Sequence, residues 1–432
     1  AIVNYDRNQL DLDTDGVGDA CDAQAYAAVA EIGDLDASGA VDYVLVETTN
    51  VNVEAYPKDS ATNVSTGAGR IVIGDSTTET LHDVTAETSL ARIAALATDA
   101  DSNPVLRIVD ARSGVPVAEP AVFDDSWSPV AVEPSTNAEL VVLANSAAAG
   151  VGIERRRAAD GSLVSAAMPL PGHHALALAG HAGEYGVLAY ELETGALELI
   201  TYDSADDSEL QRWQIAGNEW LTARLARGRD DYAVVTQSVT GTIDVTVFSP
   251  LSDVPVASYA LFDANWTMID AVGRPTTIAV MAVDDSGEIQ VRVAGKLDGR
   301  EVGRASYHAA ADLPRSMAAG PADVGALAST PGGEVSLELR ADDGSNLRVL
   351  TAESTMAPVS PTPTPTPTPT PAPGAGSGGG GGAFGLVVLW IIGIAGLCRW
   401  ARESVSRQRP KQRMRTLSPI AHPVQRESRH WR

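Results

Sequence analysis

The stretch Asp263-Ala-Asn-Trp266-Thr-Met-Ile-Asp-Ala-Val-Gly-Arg-Pro-Thr-Thr277-Ile-Ala-Val-Met-Ala-Val283-Asp-Asp-Ser-Gly-Glu-Ile289-Gln-Val-Arg-Val293-Ala-Gly-Lys-Leu-Asp298-Gly299 decides how the chain is read. It opens on a polar turn that ends in tryptophan. An unbroken apolar run follows at Thr277-Ile-Ala-Val-Met-Ala-Val283. After an acidic turn comes a run that alternates apolar and polar, Ile289-Gln-Val-Arg-Val293, and the stretch closes on Asp-Gly. Alternation with period two marks a half-buried strand, and a short apolar run marks a buried one. Glycine after aspartate accepts the positive φ of a tight hairpin.

The same order of events recurs along the chain. Gly217-Asn-Glu-Trp220 lies 46 residues before the Trp266 turn, and Asp124-Asp-Ser-Trp127 lies 93 residues before Trp220. The midpoint of the longer gap falls at Gly172-His173-His174, where a related segment without tryptophan begins. Short first strands such as Pro129-Val-Ala-Val132 precede apolar second strands: Glu139-Leu-Val-Val-Leu-Ala144, Gly186-Val-Leu-Ala-Tyr190, Tyr232-Ala-Val-Val235 and Val324-Gly-Ala-Leu-Ala328. Alternating third strands follow at Val151-Gly-Ile-Glu-Arg155, Leu197-Glu-Leu-Ile-Thr-Tyr202, Ile243-Asp-Val-Thr-Val-Phe248 and Val335-Ser-Leu-Glu-Leu339. Outer strands are read at Leu163-Val-Ser-Ala, Val256-Ala-Ser-Tyr and Leu347-Arg-Val-Leu350. Four short strands in about 46 residues match one propeller blade. The reading is therefore all-β, with a β-propeller of about seven four-stranded blades over 34–356 and its first two blades, roughly 36–126, poorly defined. A row of small β-sandwiches is the competing architecture, although it needs units of roughly 100 residues.

Composition agrees with a globular β protein: aromatics are 5% and charged residues 20%. The net charge is −25, yet 399–432 contains ten Lys/Arg against two Asp/Glu, so the rest of the chain carries −33. An acidic body argues against nucleic-acid binding and favours cations. Cys21 and Cys398 supply neither a disulfide scaffold nor a cysteine-based zinc site.

Two acidic loops point to Ca2+ as the cofactor. The first is Asp11-Leu-Asp13-Thr-Asp15-Gly16-Val17-Gly18-Asp19-Ala-Cys21-Asp22, with side-chain oxygens at loop positions 1, 3, 5, 9 and 12 and the Val17 carbonyl at position 7. Gly16 permits the sharp turn that lets alternate carboxylates converge on a hard cation. With Asn4 and Gln9 before it, this segment resembles the thrombospondin type 3 repeat over residues 3–22. The resemblance implies calcium wrapped by a chain with little core, usually in tandem copies, with Cys21 paired to a cysteine of a neighbouring copy. The bland alternative is an Asp-rich linker.

The second loop, Asp34-Leu-Asp36-Ala-Ser38-Gly39-Ala-Val-Asp42-Tyr43, places Asp34, Asp36, Ser38 and Asp42 at positions 1, 3, 5 and 9, directly before the apolar run Tyr43-Val44-Leu45-Val46. It is similar to the calcium hairpins of FG-GAP-type propeller blades. A glycine-centred hairpin with acidic ends is the alternative.

Beyond the repeats, 358–373 is a Pro/Thr tract that forms an extended spacer of roughly 50 Å. A glycine tract and an uncharged apolar run of 16 residues, 383–398, come next, then a basic cluster from Arg399. The run is slightly short of the ~20 residues a spanning helix needs, and the basic flank sets the tail in the cytoplasm. This order resembles the GlyGly-CTERM sorting signal of Gram-negative bacteria over about 374–415. It implies cleavage by a rhomboid-like sorting protease after type II secretion, while the long tail beyond Thr416 leaves a permanent anchor open. The expected organisation is thus a calcium repeat at 1–33, the propeller at 34–356, a Pro/Thr- and Gly-rich linker at 357–382, a transmembrane segment at 383–400 and a basic cytoplasmic tail at 401–432. A signal peptide and further calcium repeats are expected upstream of Ala1.

Catalytic signatures are not found: there is no Gly-x-Ser-x-Gly elbow, His-Glu-x-x-His, P-loop or dinucleotide fingerprint. His173, His174 and His181 match no zinc spacing. Asp206-Asp207 and Asp284-Asp285 read as turn formers, and Trp127, Trp220 and Trp266 as core or blade-joining packing residues. No catalytic residue is assigned. The expected function is a non-enzymatic, surface-anchored or secreted calcium-binding adhesion module for an extracellular protein or glycan. The alternative is a propeller enzyme acting on glycans.

Overall fold

The computed structural model describes residues 27–352 apart from 49–51, 182, 229, 311 and 331–333. Blade 1 is built from β1 (Ala27–Gly33), β2 (Asp42–Thr48), β3 (Val53–Asp59) and β4 (Ile71–Gly74). Blade 2 has β5 (Thr80–Glu87), β6 (Arg92–Thr98), β7 (Pro104–Asp110) and β8 (Pro116–Ala118). Blade 3 has β9 (Ser128–Pro134), β10 (Glu139–Ser146), β11 (Gly150–Arg157) and β12 (Leu163–Leu170). Blade 4 has β13 (His173–His181), β14 (Glu184–Glu191), β15 (Leu197–Asp203) and β16 (Glu209–Ala216). Blade 5 has β17 (Trp220–Arg227), β18 (Tyr232–Ser238), β19 (Ile243–Phe248) and β20 (Ala257–Phe262). Blade 6 has β21 (Trp266–Gly273), β22 (Thr277–Asp284), β23 (Ile289–Gly295) and β24 (Glu301–Tyr307). Blade 7 has β25 (Leu313–Ala319), β26 (Asp323–Ser329), β27 (Val335–Ala341) and β28 (Arg348–Thr351).

Each blade is one antiparallel sheet of four consecutive strands. The first strands touch in sequence, β1 to β5, β5 to β9 and so on to β25, which returns to β1. They close an inner ring of seven. Burial peaks at the second strands and falls outward from them, while the first strands are only partly buried. The apolar second strands are nearly inaccessible, the third strands β19 and β23 alternate, and the outer strand β24 is mostly exposed. The core is seven apolar clusters, one between each neighbouring pair of blades, because a flat sheet must bury both faces. Polar clasps add register between blades. Asp83 Oδ2 accepts the Val132 N–H at 2.9 Å, and Asp270 Oδ2 accepts the Met317 N–H at 2.9 Å.

The tryptophans pack as expected, Trp127 stacking on Phe123 with ring centroids 5.1 Å apart and the other two joining blades. Trp220 donates to the Gly195 carbonyl of blade 4 at 3.1 Å, and Trp266 packs on Phe262 of blade 5 with ring centroids 5.4 Å apart. Three readings change. The propeller begins upstream of residue 34, because β1 pairs along β2. Blades 1 and 2 are complete. The strand β11 is not an alternating rim strand: Glu154, Arg155 and Arg156 are all buried. Burial is tolerated there because Arg155 pairs with Glu139 (2.9 Å) and Asp207 (2.8 Å), and Arg156 with Glu154 (2.6 Å). Asp207 is thus an inter-blade ion-pair partner, whereas Asp206 and Asp284 form turns as read.

The ring closes where blade 7 meets blade 1, without a shared strand among the described residues. One apolar cluster joins Tyr43, Leu45 and Tyr56 to Leu327, Leu337 and Leu350. The Tyr43 ring lies close against the blade 7 backbone there, since a Cβ at Gly320 would overlap the Tyr43 hydroxyl.

Candidate metal centre

The turn from β1 to β2 contains the second acidic loop. Ala37 (φ 60°) and Gly39 (φ 86°) take left-handed conformations, which fold the turn back on itself. The loop's amides then point at its own carboxylates. Asp34 accepts Ser38 N–H (3.1 Å) and Gly39 N–H (2.9 Å), and Asp36 accepts Ser38 N–H (2.9 Å). One carboxylate oxygen from each of Asp34, Asp36 and Asp42 lies within 4.8 Å of the other two.

Asp42 differs from its companions. It starts β2 with 0% exposure. Its Oδ2 accepts the Leu35 N–H at 2.7 Å, while its buried Oδ1 makes no hydrogen bond, the Thr66 hydroxyl lying near the carboxylate but outside hydrogen-bond geometry. Burial pushes its carboxyl up to about 6; the Leu35 amide opposes this, the negative charges of Asp36 and Asp59 add to it, and the Thr66 hydroxyl partly offsets it. An unpaired buried acceptor among like charges costs stability unless a cation shares the site.

The residue that sequence reading missed is Asp59, directly opposite Asp42 in the β2–β3 pairing. It accepts the Ser38 hydroxyl at 2.7 Å, so the Ser38 side chain is turned onto Asp59. It also accepts Ala61 N–H (3.0 Å), Thr62 N–H (2.7 Å) and the Thr62 hydroxyl (2.7 Å). Burial alone would raise its carboxyl, but these donors, Thr62 and Ser38 first, outweigh burial and hold it below the usual carboxylate range. The signal available in the sequence was Asp59-Ser-Ala-Thr62, an Asx-turn pattern that ends a strand. The first loop's Asp11, Asp13, Asp15, Val17, Asp19 and Asp22 lie outside the described residues, as do the linker and the 383–400 segment. Among the described residues no helix is long and apolar enough to cross a membrane.

His173 contacts Glu198 at 3.3 Å and His174 lies against the Tyr190 ring, so the two adjacent residues face different partners. A groove on blade 3, lined by Phe123, Trp127, Glu154 and Arg156, spends its polar atoms internally on the Phe123 amide and the Ala121 and Gly161 carbonyls. On the inner strand β9, Glu133 is half-buried. Burial pushes its carboxyl up to about 8, the Asp83 charge adds to this and Arg227 opposes it. Glu31, on β1, is likewise raised by burial, against Arg227 and Arg274.

A seven-bladed β-propeller with an acidic turn in its first blade is the class these observations define. No known family model matches the chain, and no curated protein matches its sequence. Solved propellers share the fold at low identity. The BP39L lectin of Burkholderia pseudomallei is 13% identical with a TM-score of 0.54, the match covering 76% of this chain and 99% of that one. The propeller domain of the Trilobed protease of Pyrococcus furiosus, described as having an open velcro topology, is 9% identical with a TM-score of 0.51, covering 76% and 98%. Prolyl endopeptidases match at 11% identity and a TM-score of 0.51 over 76% of this chain; the chain spans half of their length.

Proposed function

We propose that the chain is a calcium-binding propeller that works as a non-enzymatic binding module outside the cytoplasm, secreted or held at the cell surface, with an extracellular protein or glycan as its ligand. One observation carries the calcium reading. One carboxylate oxygen of the buried Asp42 lies within 4.8 Å of one each from Asp34 and Asp36, its Oδ1 makes no hydrogen bond, and a hard divalent cation that takes six to eight oxygens satisfies such a set. A site of this kind suits a compartment where calcium is near millimolar. The sorting signal and its rhomboid-like protease, read over 374–415, agree with that compartment. The lectin and the protease propellers share one architecture, so fold does not choose between binding and catalysis.

Calorimetric titration of the intact chain with CaCl2 and, separately, MgCl2 tests the reading. The expected result is calcium binding at the blade 1 turn, lost in Asp36→Asn/Asp42→Asn, and a separate site lost in Asp13→Ala/Asp15→Ala. Isotherms identical for wild type and the blade 1 double variant would remove the blade 1 site.

One observation favours the second reading, an enzyme acting on glycans. Glu133 holds a proton near neutral pH on an inner strand, as a general acid must. Turnover of glycan substrates abolished by Glu133→Gln, with the fold intact, would establish that reading over the first.

A further inference from the structure

Among the described residues, six of the seven blade junctions are crossed by the chain itself, but the junction between blades 7 and 1 is not. Apart from the apolar cluster, it is held by polar links from the end of β28 to the loop after β3. The Arg348 Nη1 donates to the Ser60 carbonyl at 2.8 Å, and the Thr351 N–H donates to the Asn63 Oδ1 at 3.2 Å. Arg348 is itself aimed by its ion pair with Asp323.

The receiving loop takes its shape from the acidic turn. Asp59 gathers the amides of Ala61 and Thr62, and its own carbonyl accepts the Asn63 N–H at 2.9 Å, which presents Asn63 in a left-handed conformation (φ 58°). The Ser60 N–H donates to the Val41 carbonyl at 3.1 Å, on the turn itself. The Ser38 hydroxyl holds the other oxygen of Asp59, and the Ser38 amide is held by Asp34 and Asp36. An unbroken hydrogen-bonded path therefore runs from the acidic turn through Ser38 and Asp59 to Ser60 and Asn63, and across the seam to Arg348 and Thr351.

We infer that a divalent cation in the β1–β2 turn latches the propeller ring shut. The inference rests on the calcium reading above and adds what the ion controls. Without a cation, Asp34, Asp36, Asp42 and Asp59 repel one another across the turn, and the path begins at its least stable point. A cation removes the repulsion and fixes Ser38 against Asp59. The loop that receives Arg348 and Thr351 is then fixed as well. The effect is local because the β1–β2 turn lies on the seam, where Val41 packs against the cluster that joins blades 7 and 1. Calcium at extracellular levels gives a closed ring; its removal frees the first and last blades to part. The apolar cluster at Leu45 and Leu327 still limits how far they go.

Hydrogen exchange by mass spectrometry on the intact chain, in EGTA and in CaCl2, reads this directly. Amides of 59–63 and 348–351 slow by about threefold or more on adding calcium, while those of β14 in blade 4 do not change. The double variant Asn63→Gly/Arg348→Met leaves the turn untouched: it still binds calcium by calorimetry, and its 348–351 amides no longer respond. Calcium that binds the blade 1 turn yet leaves the seam amides unchanged, or protects all blades alike, overturns the latch and leaves the calcium reading standing. Failure of the blade 1 turn to bind calcium removes both.

Discussion

Substituting Asp42 with asparagine makes the variant more stable than wild type without calcium and less stable than wild type with it. The carboxylate is raised by about two pH units by burial and by its acidic neighbours. At about 1.4 kcal/mol per unit, its ionised form costs roughly 3 kcal/mol in the metal-free fold at pH 7.5. Asparagine keeps an oxygen for the Leu35 amide and removes the charge, while its NH2 faces the carboxylates of Asp36 and Asp59 as a donor. Screening by water at the exposed side of the turn reduces the gain, so Asp42→Asn is stabilised by about 1–2 kcal/mol in EGTA. In calcium at about a hundred times its dissociation constant, wild type gains about 2.7 kcal/mol from this site and the variant gains nothing there. Thermal unfolding followed by circular dichroism in both buffers gives the comparison, and the Asp13→Ala/Asp15→Ala background removes the contribution of the other loop. If Asp42→Asn is the less stable protein in EGTA, or if calcium raises both proteins equally, the account of the turn is wrong.

Other perturbations bear on the rest of the molecule. Glu133 has a folded pKa of about 8 against an ordinary 4.5, so the folded state keeps a proton that the unfolded chain releases. Its contribution is complete below about pH 4.5 and is lost as pH rises through 8. Glu133→Gln therefore gains on wild type between pH 5 and 8.5, by about 1–2 kcal/mol after screening by channel water; a difference in melting temperature that stays flat with pH would contradict this. Gly320→Ala forces a methyl group onto Tyr43 at the seam and costs about 1–3 kcal/mol in chemical denaturation, whereas no loss would mean that the blades do not meet as closely as described. Lys296, 1% exposed, pairs with Asp231 between blades 6 and 5. Asp231→Asn leaves that ammonium buried without its counter-charge and costs about 2–4 kcal/mol, and an unchanged denaturation midpoint would contradict it.

The later blades were legible because their strands obey one period and their tryptophans mark the start of a unit. Blades 1 and 2 were not, for local reasons. Pro57 sits inside β3 and disguises it as a break, and with four residues in β4 and three in β8 neither outer strand shows a usable alternation. The strand β1 was hidden because Ala-Ala-Val-Ala is too short and uniform to show which face is buried. The charged strand β11 was misread because sequence does not reveal that Asp207 arrives from the next blade to balance Arg155. In the acidic turn, local spacing placed Asp34, Asp36 and Asp42 together. Asp59 joins them only through the register of β2 on β3, a pairing 17 residues apart in sequence. The seam was invisible for the same reason on a larger scale: Ser60 and Arg348 are 288 residues apart.

The most direct measurement is anomalous diffraction from crystals of the propeller grown in millimolar CaCl2. The account predicts a calcium peak in the β1–β2 turn, roughly 2.3–2.6 Å from the Asp42 Oδ1 and also ligated by Asp34 and Asp36. A turn without anomalous density, with the Asp42 Oδ1 satisfied by a water or by the Thr66 hydroxyl, would contradict it.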